Sequence, residues 1–481
     1  MVPFDFLVGG ELVRRPLDAL LKAQGASAET AVHVEYFLAV PPPNPAPPAP
    51  ADDWVDALVA IPNSSSTKSS DSPVVVAAGC CDGGVRLWSR ASLLKGAAPD
   101  ARLEGRHPGG VDALSVDGGG LLLSSGRDGV ARASLLTLTS SSSPVVVAEL
   151  LGHADSVASV VACPSTSSSS SSYAATGCWD GSVKLWRLRG DPRVEAAIQA
   201  ASAGNDDGTA AAAAAKRRKV SKKQAPSSSS ATFFSTPDPL LTISNGGHTQ
   251  CVSSICWPSP HCLLTGSWDH SVRRWEVEMS EAASTNAAAS DGDDDDEAFP
   301  PPSATTSCRP TDTLHAGHAV FALATPTGSD GRLVALGGAS SEVRLWDTRA
   351  AIASVDAATA AAAAVAAAPG VVAASFRLGS HGDWVSALAW HPTRHHLVAS
   401  AGHDGKVKLW DIRGGNSGSG SSGGGGAKNA AAALSPPLAV LAAHDGKALA
   451  LAWCLGGGNG KKDLLVSGGA DGRVRAFEVA V

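Results

Sequence analysis

Thr176-Gly177-Cys178-Trp179-Asp180-Gly181-Ser182-Val183-Lys184-Leu185-Trp186 is the stretch that decides the fold. Its Asp-Gly pair reads as a tight hairpin turn, because Gly tolerates positive φ and Asp bonds nearby backbone amides. Beyond the turn, Val183-Lys184-Leu185-Trp186 alternates apolar and polar residues, the period of a half-buried strand.

The phrase recurs. Ala78-Gly79-Cys80-Cys81-Asp82-Gly83-Gly84-Val85-Arg86-Leu87-Trp88 is a second copy, and 265–275 and 400–410 are two more. Residues 339–346 carry it in altered form, and 124–134 and 467–477 are weaker versions. An Asp stands six residues before an aromatic in five copies: Asp82/Trp88, Asp180/Trp186, Asp269/Trp275, Asp404/Trp410 and Asp471/Phe477. Upstream of most turns stands a His after a small residue, in Gly152-His153, Gly247-His248, Gly317-His318, Ser380-His381 and Ala443-His444. An apolar strand follows each one, as in Trp384-Val385-Ser386-Ala387-Leu388-Ala389-Trp390. Repeats of this length cannot each bury their own sheet faces, so they must stack.

Gly-His, Ser/Thr-Gly, Asp-Gly and Trp-Asp in this order resemble the WD repeat, over nearly everything from 52 to 481. The resemblance implies an all-β, seven-bladed β-propeller of four-stranded blades around a channel. It also implies a hydrogen-bonded network inside a blade. Carried over by motif, its members are His153, Thr176, Asp180 and Trp186; His248, Thr265, Asp269 and Trp275; and His381, Ser400, Asp404 and Trp410. A His, a hydroxyl and an Asp together invite a catalytic reading. The trio repeats around the ring, whereas a nucleophile would be unique, so the structural reading is preferred and no enzyme is expected. Ala78 replaces the hydroxyl residue in the first copy, the second lacks Trp, and 338–342 has lost Asp-Gly, so those blades are expected to be less regular. The last copy ends the chain, so the strand that closes the ring must come from about 34–51, and the prolines there make it short.

Low-complexity stretches at 187–235, 279–312, 350–374 and 413–437 each follow a terminal Trp strand and are expected to be disordered surface insertions. The first holds Lys216-Arg217-Arg218-Lys219, which reads as a nuclear import signal. Hydrophobic residues make up 44% and the net charge is −7, which argues against a nucleic-acid clamp in its own right. Nine scattered cysteines lack any C-x-x-C pair, so no metal site and no cofactor are expected. No apolar run is long enough to span a bilayer.

Residues 1–38 differ: Phe4-Asp5-Phe6-Leu7-Val8 alternates like a strand, Gly9-Gly10 turns it, 16–22 reads as a short helix and 31–36 as a second strand. This order resembles the second half of ubiquitin, a partial β-grasp (ubiquitin-like, NLE) segment joined by 39–51, a Pro-rich linker and closing strand, to the propeller at 52–481. Such a piece buries too little core alone, so the natural chain is expected to start further upstream.

Together with Pro3-Phe4-Asp5-Phe6-Leu7, Gly10-Glu11-Leu12, Val34-Glu35-Tyr36 and Asp52-Asp53-Trp54-Val55, the propeller resembles the ribosome-biogenesis WD-repeat family of the Pescadillo (PeBoW) complex. That resemblance implies a non-enzymatic scaffold in the nucleolus and nucleoplasm. Its partners would be Pescadillo, the larger WD-repeat Block-of-proliferation protein and the precursor of the 60S subunit, with contact to pre-rRNA indirect. It would serve maturation of large-subunit rRNA until the ATPase Midasin removes it. Midasin grips the family's ubiquitin-like domain through a metal-ion site of its own, and by motif match Glu29 supplies the carboxylate. A WD-repeat substrate receptor of a ubiquitin ligase is the competing reading.

Overall fold

The computed structural model describes residues 4–8, 11–13, 16–23, 31–38, 40–62, 74–136, 144–164, 172–203, 236–243, 247–279, 306–329, 331–348, 375–414, 437–456 and 462–480. Seven antiparallel sheets follow one another along the chain, six of them four-stranded. Blade one is Val55–Ala60, Val74–Cys80, Val85–Ser89 and Ala101–Leu103. Blades two to six span 111–150, 157–243, 252–315, 320–380 and 385–442. Each first strand touches the first strands of its two neighbours, and that of blade seven, Ala448–Cys454, returns to Val55–Ala60, so the inner strands close a ring. The expected seven-bladed propeller is the fold.

The ring is closed by the N-terminal part of the chain. The last strand, Arg473–Val479, takes two short partners in the fourth position, Asn44–Pro45 and Ala49–Pro50. Ala46 and Ala51 donate their N–H groups to Ala476 and Gly472. The prolines contribute no donor, so pairing comes in two brief pieces.

Apolar packing follows the seams. Seven buried clusters each join two adjacent blades, the last uniting Ala49 and Ala51 with Val474, Val55 and Trp88 across the closure. Strands such as Tyr173–Cys178 and Cys262–Ser267 are buried at every position, as expected where both sheet faces are covered.

The N-terminal segment forms a separate sheet in which Phe4–Val8 lies between Glu11–Leu12 and Val34–Leu38. Helix α1 (Leu17–Ala23) buries Leu20 and Leu21 against Val8. Helix α2 (Arg90–Lys95) joins the third and fourth strands of blade one and caps the closure, burying Leu93. No helix among the described residues is long and apolar enough to cross a membrane.

Two expectations about the insertions are corrected. Within 187–235, helix α3 (Pro192–Ala203) is ordered and buries Val194, Ala197 and Ile198 in the seam between blades two and three. Those residues and Ala201 recur at helical spacing, which the surrounding alanine and serine runs obscure. Asp191 caps the helix by accepting from the N–H groups of Arg193 and Val194, and Pro192 suits its first turn. Within 279–312, Thr306–His315 is the long fourth strand of blade four, paired along Ser271–Met279. Residues 350–374 and most of 413–437 lie outside the described residues. The expected irregularity also fails at the level of strands, since blades one, two and five are complete four-stranded sheets.

Candidate functional site

The Asp-Gly turns and the loops between blades emerge on one face, because second-to-third and fourth-to-first connections share an end of an antiparallel blade. In blade four, His248 Nε2 lies 2.7 Å from Thr265 Oγ1 and His248 Nδ1 lies 2.8 Å from Asp269, while Trp275 Nε1 donates to Thr265 Oγ1 at 2.9 Å. A carboxylate only accepts, so Nδ1 carries the proton. Nε2 then accepts from the hydroxyl, whose oxygen accepts the indole N–H, and every buried group is satisfied. Blade six repeats the geometry with His381, Ser400, Asp404 and Trp410. Burial opposes ionisation of Asp269, yet hydrogen bonds from His248 and Ser271 hold it well below the usual carboxylate range.

Blade three departs from the pattern in one link. His153 Nε2 and Trp186 Nε1 both meet Thr176 Oγ1, at 2.7 and 2.8 Å, but His153 Nδ1 faces Ser182 Oγ at 3.1 Å rather than Asp180. Asp180 accepts from the Ser182 N–H at 2.8 Å and so joins the network through Ser182. Burial pushes His153 down to about 4. His153, Cys178 and Asp180 bring one potential metal ligand each to within 4.8 Å of one another. Each is already engaged, His153 with Thr176 and Cys178 with the Asp155 carbonyl, so the trio reads as blade structure.

Two further networks lie outside the three sets carried over by motif, although Ala443-His444 and Asp471 stand in the repeat pattern. His107 lies 2.8 Å from Ser124 Oγ and 2.9 Å from Asp128 in blade two, and His444 lies 2.9 Å from both Ser467 Oγ and Asp471 in blade seven. Phe477 offers no indole to the second, and Arg106-His107-Pro108 lacks the small residue that flags the others. Burial pushes His107, His381 and His444 below the usual imidazole value although each faces a carboxylate. Blade one has no such His: buried Arg86 holds Asp82 instead. In blade five, His318 meets Ser340 at 2.9 Å, and Trp346 Nε1 has no acceptor among the described residues. Register explains it. Trp186 lies opposite Ala174 and Trp346 opposite Val334, so the place of Thr176 is taken by Leu336.

Around the channel mouth runs a ring of equivalent positions. In each blade the N–H of the residue after the second strand donates to the carbonyl of the residue before the first: Cys81 to Trp54, Arg127 to Gly110, Trp179 to Ser156, Trp268 to Cys251, Ala339 to Ala319, His403 to Trp384 and Ala470 to Lys447. From blade three to blade six these positions are aromatic or lie beside an aromatic. Ring centroids run Trp179–Trp268 at 5.1 Å, Trp268–Phe321 at 6.0 Å, Phe321–Trp384 at 5.6 Å and Trp384–His403 at 5.6 Å. Trp179 and Trp384, toward its two ends, are each 46% exposed. A binding role for this arc was not anticipated, although Trp179-Asp180 and Trp268-Asp269 repeat the signal in successive copies.

The model described as WD domain, G-beta repeat, matches residues 144–187, 238–276 and 374–411. These hold the three repeats in which His, hydroxyl and indole are all joined. The chain is 34% identical over 484 residues to a "Ribosome biogenesis protein WDR12 homolog" of Chlamydomonas reinhardtii, covering 99% of this chain and 87% of the relative. The homologue of Oryza sativa subsp. japonica is 30% identical, over 98% of this chain and 84% of its own length. The chain belongs to the WDR12 family of ribosome biogenesis proteins. The Arabidopsis thaliana member is 28% identical over 98% of this chain. Membership agrees with the resemblance drawn from the N-terminal phrases and the repeats. Glu29, expected from the family resemblance, and Lys216, Arg217, Arg218 and Lys219, expected from the basic cluster itself, lie outside the described residues.

Proposed function

We propose that the chain is a non-catalytic scaffold of ribosome assembly, a member of the Pescadillo complex that acts in maturation of large-subunit rRNA and of the 60S subunit. The observation that carries this reading is the similarity along 99% of the chain to a ribosome biogenesis protein. A closed ring supports it, because it presents many loops on a rigid frame. The His, hydroxyl and Asp groups that could be mistaken for a catalytic set bind one another in blade after blade. In this reading Pescadillo and the larger Block-of-proliferation protein are direct partners, pre-rRNA contact is indirect, and the protein works in the nucleolus and nucleoplasm.

Affinity purification of the tagged chain from nuclear extract, with identification of the bound proteins, tests the reading. Recovery of Pescadillo, its larger WD-repeat companion and large-subunit precursors is expected. Recovery of a cullin adaptor without ribosomal factors would instead make the chain a ubiquitin-ligase substrate receptor. In the same reading Glu29 fills the open coordination position of Midasin's own metal ion, so Glu29→Ala abolishes capture of Midasin while Pescadillo is retained. Lys216, Arg217, Arg218 and Lys219 direct import, so changing all four to alanine leaves the protein in the cytoplasm.

A further inference from the structure

The arc of rings over blades three to six has neighbours of one predominant charge. Asp155 and Asp383 are exposed, and each side chain accepts the N–H of the next residue, Ser156 or Trp384, which holds the carboxylate at the rim. On the blade before the arc, Arg127 alone stands between two carboxylates, 3.2 Å from Asp112 and 3.6 Å from Asp56. At the far end Lys447 acts on His403, where Asp383 opposes it. Among these described groups, four carboxylates, Asp56, Asp112, Asp155 and Asp383, stand against two cations, Arg127 and Lys447.

Aromatic faces ringed by carboxylates suit one ligand chemistry best. A guanidinium is planar, weakly hydrated and stacks on indole while it pairs with a carboxylate. A polyphosphate chain could stack its bases on the same rings, but the carboxylates would repel its backbone. Same-side residues of an extended peptide are about 7 Å apart, somewhat wider than the 5.1 to 6.0 Å between adjacent ring centroids, so such a peptide can follow the arc without matching it ring for ring. We propose that the arc is the docking site for an extended, arginine-bearing segment of a protein partner, its guanidinium groups stacked on Trp179, Trp268 and Trp384 and paired with Asp155 and Asp383. The inference goes beyond the assembly role and stands on the geometry alone.

The test titrates the full-length chain with a fluorescein-labelled peptide of alternating arginine and serine, read by polarisation and by tryptophan fluorescence. Saturable binding is expected. Trp179→Ala and Trp384→Ala should each weaken it about tenfold, and the paired change Asp155→Asn with Asp383→Asn, which leaves the rings in place, about fivefold. Trp54→Ala, on the same face but outside the arc, leaves it unchanged. A peptide with citrulline in place of arginine should lose binding. Equal binding of the citrulline peptide, no saturable binding of the arginine peptide, or indifference to the ring and carboxylate changes would each overturn the proposal. So would oligouridine that binds more tightly than the peptide and is lost with the same rings, since the arc would then be an RNA platform.

Discussion

The backbone N–H of His444 donates to the carbonyl of Gly405 at 3.0 Å, while its ring meets Asp471 and Ser467, each at 2.9 Å. One residue thus ties the turn of blade six to the turn and second strand of blade seven. His107 does the same between Gly83 in blade one and Asp128 in blade two. The His381 N–H likewise donates to Ser341 of blade five at 2.7 Å, so in blades two, six and seven the network His is a stitch between blades as well as a member of one blade.

That contact leaves no room for a side chain at Gly405. Its φ is +72°, and a Cβ there would lie 2.6 Å from the carbonyl oxygens of His444 and Gly446. Gly405→Ala should cost about 2 kcal/mol or more, from left-handed strain and the clash together. Gly105 has φ +61° with nothing within 4 Å, so Gly105→Ala should cost only about 1 kcal/mol. Denaturant unfolding of the two variants measures the difference.

Trp275 and Trp346 occupy equivalent places, and only Trp275 has an acceptor for its indole N–H. Both are almost fully buried, so Phe removes similar apolar area from each. Trp275→Phe should therefore cost about 1 kcal/mol more than Trp346→Phe, the net value of one hydrogen bond. Equal losses in denaturant melts would mean that the network adds nothing beyond packing.

His153 titrates at about 4 in the fold against 6.5 in the unfolded chain. Between those values the unfolded chain binds the proton and the fold does not, so stability falls as pH drops from 6.5 towards 4. Asp112, raised by burial from 3.8 to about 6, works in the opposite direction. The two separate by substitution: His153→Gln should flatten the acid slope of the unfolding free energy relative to the parent. An unchanged slope would show that His153 is not held neutral.

Residues 44–51 should decide whether the ring stays shut. Deleting 1–39 spares the two pieces that pair with Arg473–Val479, whereas deleting 1–51 exposes that strand and the cluster around Val474. The shorter deletion should keep a cooperative thermal transition. The longer one should lower the melting temperature sharply and promote association through the opened edge, visible by light scattering.

Most of the fold was legible because one turn, Asp-Gly, and one aromatic, Trp, recur at fixed spacing, and both answer to local backbone and packing demands. The short closing strand followed from the need to pair Arg473–Val479. Three features were hidden for physical reasons. His107 follows Arg106 rather than a small residue, so only the three-dimensional approach of Asp128 reveals it. Helix α3 carries its apolar stripe on Val194, Ala197, Ile198 and Ala201 amid low-complexity sequence. The aromatic arc joins residues from four blades, and no local pattern reports which blade stands beside which.

The most direct test of the central claim is a pulse-chase of rRNA in cells depleted of their resident WDR12 relative and supplied with this chain. The account predicts that depletion stalls large-subunit precursors while small-subunit rRNA matures normally. It further predicts that the full chain restores the flow and the 1–51 deletion does not. Normal large-subunit maturation after depletion, or equal rescue by the opened ring, would contradict it.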